Sequence, residues 1–399
     1  MLSGRWIPTG VPTIYRLIEA IDKRVECLHL VFTKKSSGYS VWMASKDKQL
    51  SVSGLHSQVQ VLAGVEYFPA WLGRVRSKLS EFRQLIRILY ISWRFSPDLI
   101  YIDHANIWVA SILARISSRR VILRLMGVYP AMRAALKGLR PAHIVLRWCY
   151  KAPYSVVICT QDGSGIEPWL DKALSSSVPR FEYLNGADSV DHVVDAPSLR
   201  QLPQNRCIVM FLGKIEYEKG AGEFVDAFLR ARNLIPNQLH ALIIGTGSLL
   251  GGLRSKVVAC SADNEFTFIE RLPHSEVATA LAKSDIYVSL NRLGNLSNAN
   301  LEAMRAGCCM VIPASQPSTS VDVITDQLVP SDAICRVPSV DDVESLSDML
   351  VFLSKHPEKR KAIGNRIQER SSEFLVTWDL RVQRELELVT RLACESSQA

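Results

Sequence analysis

Residues 209–228, VMFLGKIEYEKGAGEFVDAF, decide the fold of this 399-residue chain. Their apolar beginning predicts a buried strand that ends at Gly213, and a short charged turn follows. Gly220 then opens a segment in which Phe224 and Phe228 recur at helical spacing. Glycines permit tight turns, and the start of a helix offers free amide groups and a positive dipole end. The stretch therefore predicts a strand, a turn and a helix that can hold an anion.

Two lysines, Lys214 and Lys219, flank that turn. Two ammonium groups beside the carboxyl end of a strand suit a diphosphate, which requires charge neutralisation and several hydrogen-bond donors. The alternative is that both lysines are solvated loop charges, and the turn alone favours neither interpretation.

The same alternation of short apolar runs and longer amphipathic segments continues along the whole chain. Runs that indicate buried strands fall at residues 28–32, 99–102, 121–125, 156–159, 207–212, 239–244, 266–268, 286–290 and 310–312. Several are followed by glycine, asparagine or aspartate and then by a helical pattern, which is typical of parallel sheets covered on both faces. The predicted fold class is therefore α/β, with two Rossmann-like domains.

The length of the chain exceeds that of one ordinary domain, and a linker is predicted near its middle. Residues 195–205, DAPSLRQLPQN, contain two prolines and no hydrophobic periodicity, which is typical of a linker. We expect one Rossmann-like domain over residues 1–196 and a second over residues 197–372. Residues 371–392 form a long amphipathic pattern, which predicts a helix. The last segment of the chain, residues 373–399, is expected to consist of this C-terminal helix.

A polar segment between a strand and a helix, residues 289–307, forms the second candidate site. It reads SLNRLGNLSNANLEAMRAG and predicts a helix that starts near Leu301, capped by Asn298 or Asn300. Glu302 would then lie in the first turn, where the helix dipole favours a carboxylate. An ionised carboxylate there accepts hydrogen bonds from ribose hydroxyls. The alternative is a carboxylate that only complements the dipole.

Gly245 and Gly247 end another apolar run, in residues 242–253, LIIGTGSLLGGL. A lone G-x-G after a strand is weak evidence for a dinucleotide site, and no acidic residue stands where that motif requires one. The two glycines are therefore predicted to shape a strand-to-helix turn near a nucleotide.

Together these patterns resemble the retaining GT-B glycosyltransferases, in particular family four, the glycosyl transferases group 1. The similar elements are the G-K…E-K-G turn at 213–220, the strand ending in G-x-G at 242–247, FIERLPHSEV at 268–277, LEAM…G at 301–307, YLNGAD at 183–188, PDLIYIDH at 97–104 and Phe374…Trp378. Each motif is loose, but their order and spacing together are specific and cover nearly the whole chain.

The resemblance implies that the two domains face each other across a cleft, with the C-terminal helix crossing back to the N-terminal domain. It implies that the N-terminal domain binds the acceptor and the C-terminal domain a nucleotide-sugar donor. Lys214 and Lys219 would hold the diphosphate and Glu302 the ribose, as the catalytic residues. Further donor contacts are implied at Gly213, Gly245, Gly247, Arg271, Leu272, Gly294, Asn295, Asn298 and Leu301, and acceptor contacts at Gly10, Asp103 and His104.

Two departures from the family pattern concern the sugar. The family often has a glutamate eight residues before the one that matches Glu302, and Gly294 stands there. The family's histidine-glycine pair reads Met126 and Gly127 here. The sugar pocket is therefore expected to be unusual and rich in asparagine.

The activity implied is metal-independent, retaining transfer of a hexosyl group to a glycan or lipid-linked glycan, in cell-surface polysaccharide or lipopolysaccharide biosynthesis. No cofactor and no metal are expected, and the chain lacks the D-x-D pair of metal-dependent transferases. Two alternatives stay open. One is a non-catalytic GT-B scaffold, and the other is a GT-B-like nucleotide-sugar epimerase or phosphorylase.

Composition narrows the partners and the location. Residues 70–151 contain 15 lysines and arginines against three acidic residues, and aromatic residues such as Phe82 and Trp93 are interleaved with them. Such a surface attracts an anionic membrane. The alternative is a solvated basic face with its aromatic residues in the core. The segment has no recognised nucleic-acid motif, so nucleic acid is not an expected partner.

The nine cysteines are scattered and contain no C-x-x-C pair, which argues against a disulfide framework or a zinc site. The sequence shows neither a secretory signal pattern nor an apolar run long enough to span a membrane. The expected location is cytoplasmic, with peripheral attachment to the inner face of the cell membrane.

Overall fold

The computed structural model of the chain describes residues 5–6, 12–33, 46–65, 73–188 and 194–397. Its first elements are α1 (Pro12–Asp22), β1 (His29–Thr33), β2 (Lys48–Leu50), β3 (Gln58–Leu62) and α2 (Gly73–Phe95). They are followed by β4 (Leu99–Asp103), α3 (Ile107–Ile116), β5 (Arg120–Leu125), α4 (Pro130–Lys137), α5 (Pro141–Tyr150), β6 (Val156–Thr160), α6 (Ile166–Ala173) and β7 (Arg180–Tyr183).

Two sheets form from these strands. β4, β5, β6 and β7 pair in that order, all parallel. The smaller sheet has the order β1-β3-β2, in which β1 is parallel and β2 antiparallel to β3. All five residues of β6 are buried, as expected for a parallel strand covered on both faces.

The second half of the chain forms one six-stranded parallel sheet with its helices. Its elements are β8 (Cys207–Leu212), α7 (Ala221–Leu234), β9 (Leu239–Ile244), α8 (Leu250–Ala259), β10 (Phe266–Ile269), α9 (His274–Ala282), β11 (Ile286–Val288), α10 (Asn298–Arg305), β12 (Met310–Pro313), α11 (Val323–Leu328), β13 (Cys335–Val337), α12 (Val343–Lys355), α13 (Pro357–Phe374) and α14 (Trp378–Ser397). The strand order is β10-β9-β8-β11-β12-β13, which is that of a doubly wound nucleotide-binding sheet.

This order fixes where a ligand can bind. The chain winds outward from β8 in one direction through β9 and β10, and in the other through β11, β12 and β13. The connections after β8 and β11 therefore leave the sheet on opposite faces and open a crevice at the carboxyl ends of these two strands. The turn after Leu212 and the segment after Val288 border that crevice.

Alternating side chains of the six strands supply two hydrophobic cores. Phe211 and Ile243 pack on one face of the sheet with Phe224 and Phe228 of α7. Met210, Leu242 and Ile244 pack on the other face with Leu301 and Met304 of α10. Because both faces are covered, every residue of β9 is buried, which explains why its sequence, LHALII, is apolar except for His240.

The C-terminal helix α14 lies on the N-terminal four-stranded sheet. Leu388, Val389 and Leu392 pack against Ile122 and Ile158 of that sheet. The predicted α/β class and the predicted return of the C-terminal helix are confirmed. The domain limits at residues 196 and 372 stay a prediction; β7 ends at Tyr183 and β8 begins at Cys207.

The predicted helix over residues 371–392 is wrong as a single element. α13 ends at Phe374 and α14 begins at Trp378. The intervening backbone is extended at Leu375, and the carbonyl of Val376 accepts a hydrogen bond from the amide of Ala187 at 3.0 Å. This contact with the segment after β7 uses a backbone acceptor that a continuous helix would need, so the helix breaks there.

Each predicted strand has an observed counterpart whose ends differ by two residues at most. Four further strands were not predicted: β2, β3, β7 and β13. They are three to five residues long and contain polar or charged positions, as in KQL, QVQVL and RFEY. Strands at an edge or in a small sheet keep one side in solvent, and therefore lack an apolar run.

Candidate active site

The turns after β8 and β9 run side by side at the crevice. The Gly213 amide donates to the Ile244 carbonyl at 3.0 Å, and the Ile215 amide to the Thr246 carbonyl at 2.9 Å. A side chain at Gly245 would overlap with the Gly213 carbonyl, and one at Gly247 with the Ile215 carbonyl. These two glycines are therefore required for the close approach of the turns, as a strand-to-helix role predicts.

A carboxylate fastens the two turns together. Glu216 accepts a hydrogen bond from the Ser248 amide at 2.8 Å and another from the Ser248 hydroxyl. These bonds hold the pKa of Glu216 below its usual range. Glu216 is therefore a brace for the turn that contains Lys214.

Lys214 and Lys219 lie on either side of a short 3-10 turn, Tyr217–Lys219. Lys214 is exposed and Lys219 is half-buried. Burial lowers the pKa of the Lys219 ammonium, with Lys214 adding to the shift and the charges of Asp162 and Glu218 opposing it. No carboxylate of the described ranges forms an ion pair with either lysine, so an anionic ligand would relieve the cost of burying Lys219.

Gly220 turns the chain from the lysines into α7. Its φ of +67° lies in the left-handed region, and a side chain there would overlap with Leu290, two residues after β11. Glycine adopts this conformation without steric cost. The position thus joins the lysine turn to the polar segment after β11.

Arg292 also links these two segments. Its amide donates to the Glu218 carbonyl at 2.9 Å, and its guanidinium pairs with Glu223 at 2.5 Å and Asp341 at 2.6 Å. The guanidinium lies 4.4 Å from the ring centre of Tyr217. Arg292 therefore supports the lysine turn structurally, and no motif in the sequence indicates this role.

The helix that contains Glu302 begins earlier than predicted. α10 starts at Asn298, and Ser297 is its N-cap, with the Ser297 hydroxyl accepting from the Asn300 amide. The prediction that Asn298 or Asn300 caps the helix is wrong, because serine in extended conformation satisfies the same free amides. Glu302 therefore lies in the second turn and not in the first.

Glu302 is half-buried beside the loop before α9. Its carboxylate lies 3.9 Å from the imidazole of His274. Burial raises the pKa of Glu302, the charges of His274 and Arg16 oppose that shift, and Asp188 adds to it. In the same loop, Arg271 is exposed and Leu272 packs on the core that contains Leu301.

Asn295 and Asn298 are both engaged within the protein. The buried amide of Asn295 donates to Asp322 at 2.7 Å and to the Asn291 carbonyl at 3.1 Å, and its oxygen accepts from Ser289. Asn298 accepts from Asn185 at 2.6 Å. The structure does not present the Asn295 side chain to a sugar, because it holds the loop together.

Gly294 lies where the loop meets the N-terminal half of the chain. Its φ is +128°, and a side chain would come within 2.5 Å of the Gly163 carbonyl carbon. The adjacent contacts are hydrogen bonds from the Leu296 amide to the Asp162 carbonyl at 3.1 Å and from the Asp322 amide to the Gly163 carbonyl at 2.7 Å. No glutamate fits at Gly294 in this arrangement.

The residues predicted on the acceptor side have local partners. Asp103 caps a 3-10 turn by accepting from the Ala105 amide at 2.8 Å. The His104 imidazole lies 3.0 Å from the Tyr150 hydroxyl and stacks on that ring. Gly10 lies outside the described residues.

Asp162, at the end of β6, is a further residue of the crevice that the sequence analysis did not select. Its carboxylate accepts from the Ser164 amide at 3.0 Å and lies against Gly127. Burial raises its pKa to about 6, while the bonds from Ser164 and the charge of Lys219 act in the opposite direction. A polar cluster directly after a buried strand, TQDG at 160–163, was the available signal.

Comparison with known families decides the class of the second half. The family model described as glycosyl transferases group 1 matches residues 199–370. Residues 199–370 are therefore similar to the glycosyl transferases group 1 family. The group 1 segment contains both lysines of the turn, the G-x-G turn and Glu302.

One curated relative of the chain is a glycosyltransferase. A 2-deoxystreptamine N-acetyl-D-glucosaminyltransferase of Streptomyces fradiae is 25% identical over 276 residues. The match covers 63% of this chain and 61% of the relative's length.

Solved structures share the fold over the full chain. Sucrose-phosphate synthase of Thermosynechococcus elongatus matches with a TM-score of 0.71 at 16% identity, covering 97% of this chain and 94% of that one. A UDP-forming trehalose-phosphate synthase of Burkholderia xenovorans matches with a TM-score of 0.64 at 13% identity, covering 92% and 99%. HepE of Anabaena, in complex with UDP and glucose, matches with a TM-score of 0.62 at 16% identity, covering 83% and 86%. The chain therefore has the GT-B fold.

No group of three or more histidine, cysteine, aspartate or glutamate side chains within the described residues is arranged to hold a metal ion. None of the described helices is long and apolar enough to cross a bilayer.

Proposed function

We propose that this chain is a glycosyltransferase that transfers a sugar from a nucleotide-sugar donor to a glycan or lipid-linked glycan, with retention of anomeric configuration. The observation that carries the proposal is the position of Lys214 and Lys219 after β8, beside the crevice of the doubly wound sheet. Ligands of such sheets bind in this crevice. Two ammonium groups and the start of α7 supply the charge and the donors that a diphosphate requires.

The lysines would act on the leaving group. Transfer breaks the bond between the anomeric carbon and the β-phosphate oxygen, and the electron pair stays on the nucleoside diphosphate. Positive groups fixed beside that oxygen lower the free energy of the transition state. The acceptor oxygen forms its bond to the anomeric carbon on the same face, and its proton leaves with the diphosphate. In this proposal the lysines fulfil the role that a metal ion has in other transferases, and no cofactor takes part.

We propose a uridine diphosphate sugar as the first donor to test. HepE was solved with UDP and glucose, and the trehalose-phosphate synthase is described as UDP-forming. The curated relative transfers an N-acetyl-D-glucosaminyl group. UDP-glucose and UDP-N-acetylglucosamine are therefore the two initial probes. Glu302 would accept hydrogen bonds from the ribose of either donor.

The acceptor side of the proposal includes an anionic membrane surface, and the observation that favours it is one face of α2. Exposed apolar side chains recur along this helix at intervals of three and four residues, so they share a face. They are Val75, Leu79, Phe82, Ile86, Tyr90 and Trp93. Trp93 is 78% exposed and Phe82 is 61% exposed, which is unusual for side chains of this size.

The opposite face of α2 packs on the protein. Leu85, Ile88 and Leu89 contact the core of the N-terminal sheet. Further exposed apolar side chains lie on neighbouring helices, at Ile116, Ile144 and Trp148. With the excess of basic residues in this segment, the face has the composition of a helix that lies on an anionic bilayer. Such attachment would place the enzyme beside a lipid-linked acceptor of cell-surface polysaccharide or lipopolysaccharide synthesis.

A thermal-shift screen followed by product analysis tests the proposed function. We expect nucleoside diphosphates and their sugars to raise the melting temperature, and the free diphosphate to appear only when an acceptor is present. A protein stabilised by no nucleotide would be a scaffold. A new nucleotide sugar formed from the donor alone would indicate an epimerase, and a requirement for inorganic phosphate would indicate a phosphorylase. Each of these three results would contradict the proposal.

A further inference from the structure

Asp162 is a carboxylate of the crevice that comes from the N-terminal half of the chain. It follows β6, and its backbone carbonyl accepts from the Leu296 amide of the loop before α10. This contact places Asp162 beside the loop after β11, in which the Arg292 amide donates to the Glu218 carbonyl of the lysine turn. The charge of Asp162 also acts on Lys219. The Asp162 side chain is half-buried, so it is held in place and still accessible from the crevice.

Two glycines, Gly127 and Gly294, lie against Asp162. Gly127 has a φ of +106°, and any side chain there would overlap with the Asp162 carboxylate. A side chain at Gly294 would come within 2.6 Å of the Asp162 carbonyl oxygen. Neither neighbouring position can therefore supply a polar side chain of its own. Asn295, which follows Gly294, has its amide engaged with Asp322.

We propose that Asp162 is a donor-binding residue whose carboxylate accepts a hydrogen bond from a hydroxyl of the transferred sugar. The inference rests on the proposed function, because it takes the lysine turn as the diphosphate site. The sugar is bonded directly to the β-phosphate, so it lies next to Lys219. The carboxylate whose charge acts on Lys219 is then within reach of the sugar's hydroxyl groups.

The chemistry of the site favours a sugar hydroxyl over other partners. A carboxylate near a diphosphate repels it, so Asp162 does not serve the phosphates. One of its oxygens accepts from the Ser164 amide, and the partly desolvated carboxylate has capacity for a further hydrogen bond from a hydroxyl donor. Hydrogen-bonding sites of this kind discriminate strongly against substrates that lack the hydroxyl. Asp162 would therefore contribute to the choice of sugar.

A double-mutant cycle with monodeoxy donors tests the assignment. The wild type and Asp162→Ala are compared on the accepted donor and on its monodeoxy analogues, with kcat/KM as the readout. In the wild type we expect kcat/KM for one analogue to be roughly 10- to 100-fold lower than for the natural donor, because that analogue lacks the hydroxyl that Asp162 binds. In Asp162→Ala, kcat/KM for the natural donor should fall by a similar factor. That variant should then have nearly the same kcat/KM for the analogue as for the natural donor. UDP affinity should not weaken, because a repulsive charge has been removed.

Controls separate this result from general damage. Asp171→Ala removes an exposed carboxylate that pairs with Arg180. It should leave the ratio of kcat/KM between the natural donor and each analogue unchanged. Asp162→Asn keeps the shape and should fold if the alanine variant does not. The inference is wrong if the ratio of kcat/KM between the natural donor and each analogue is the same in Asp162→Ala as in the wild type. If the wild type neither binds UDP nor transfers sugar, the proposed function itself fails, and the two failures are thus distinguishable.

Discussion

The hydroxyl of Tyr101 in β4 donates a hydrogen bond of 2.5 Å to the carboxylate of Glu385 in α14. The same carboxylate group lies 2.6 Å from the guanidinium of Arg381 and 3.6 Å from that of Arg124, and both arginines are buried. Glu385 therefore supplies the negative charge for two buried cations. This cluster fastens the C-terminal helix to the N-terminal sheet.

Removal of that charge should destabilise the protein strongly. Glu385→Gln leaves Arg124 and Arg381 buried with no countercharge of equal strength, and loss of one partner of a buried pair costs about 3–5 kcal/mol. The midpoint of urea unfolding measures the change. Glu387→Gln, on an exposed side of the same helix, is the control and should have little effect. Equal midpoints for the two variants would mean that the buried cluster contributes little.

The same cluster predicts a loss of stability at alkaline pH. Burial, and then the charge of Glu385, raise the pKa of Tyr101 well above its usual value. In the folded protein the Tyr101 hydroxyl keeps a proton that it releases in the unfolded chain at about pH 10. Stability is therefore retained below that pH and falls as the pH rises above it. Tyr101→Phe should be less stable at neutral pH but should show a smaller decline between neutral and alkaline pH. An identical decline in both proteins would refute this role of Tyr101.

Gly294→Ala should weaken the contact between the loop before α10 and the segment after β6. The φ of +128° disfavours any side chain, and the Gly163 carbonyl leaves no space for one. We expect a loss of about 1–3 kcal/mol and a reduced rate of transfer, measured by unfolding and by initial rates. Gly251→Ala is the matched control, because a side chain there meets nothing within 4 Å and the position is helical. That variant should be neutral or slightly stabilised.

Glu302→Gln should weaken the binding of nucleotides through the ribose. A hydrogen bond to a charged group contributes about 1.5–3 kcal/mol, which corresponds to roughly tenfold or more in affinity. Calorimetry with UDP and with its 2′,3′-dideoxy analogue separates the cause. The variant should lose affinity for UDP and should bind the analogue as the wild type does. Equal UDP affinity in both proteins would argue against contact with the ribose.

Binding to membranes should depend on the exposed face of α2. In flotation with vesicles, the wild type should rise with anionic lipid and remain below with neutral lipid. The double variant Phe82→Ser and Trp93→Ser removes two large apolar side chains, each worth about 1.5–3 kcal/mol when fully buried, and should not float. Phe352→Ser, which changes a 47% exposed side chain in α12, is the control. Concentration-dependent dimerisation without flotation would assign the face to a second copy of the chain.

The predictable part of this structure is the part in which local pattern and global fold agree. β8 and β9 were predicted to the residue, because both are covered on both faces and their sequences, CIVMFL and LHALII, are almost entirely apolar. The glycines at 220, 245 and 247 stand at the turns because neighbouring atoms leave no room for a side chain, and Gly213 has a φ of +154° that disfavours one. The lysine turn was predicted because Gly213 and Gly220 mark its two ends in the sequence.

The remainder depends on contacts between distant segments. Asp162 and Gly294 meet only because β6 and the loop before α10 face each other, and neither has a local pattern that reveals this. The start of α10 was misplaced because several residues of one polar run can cap a helix, and Ser297 does so here. Asn295 resembled a ligand-binding residue, but its amide is used to hold the loop, a distinction that sequence composition does not make.

The central claim is that Lys219 holds the donor's diphosphate, and calorimetry with UDP and UMP on the wild type and Lys219→Met tests it most directly. The wild type should prefer UDP, and the variant should lose most of that preference while melting no lower, because burial already disfavours the Lys219 charge. Lys256→Met, which changes an exposed lysine paired with Asp226, should keep the preference. A folded Lys219→Met protein with the full wild-type preference for UDP would contradict the claim.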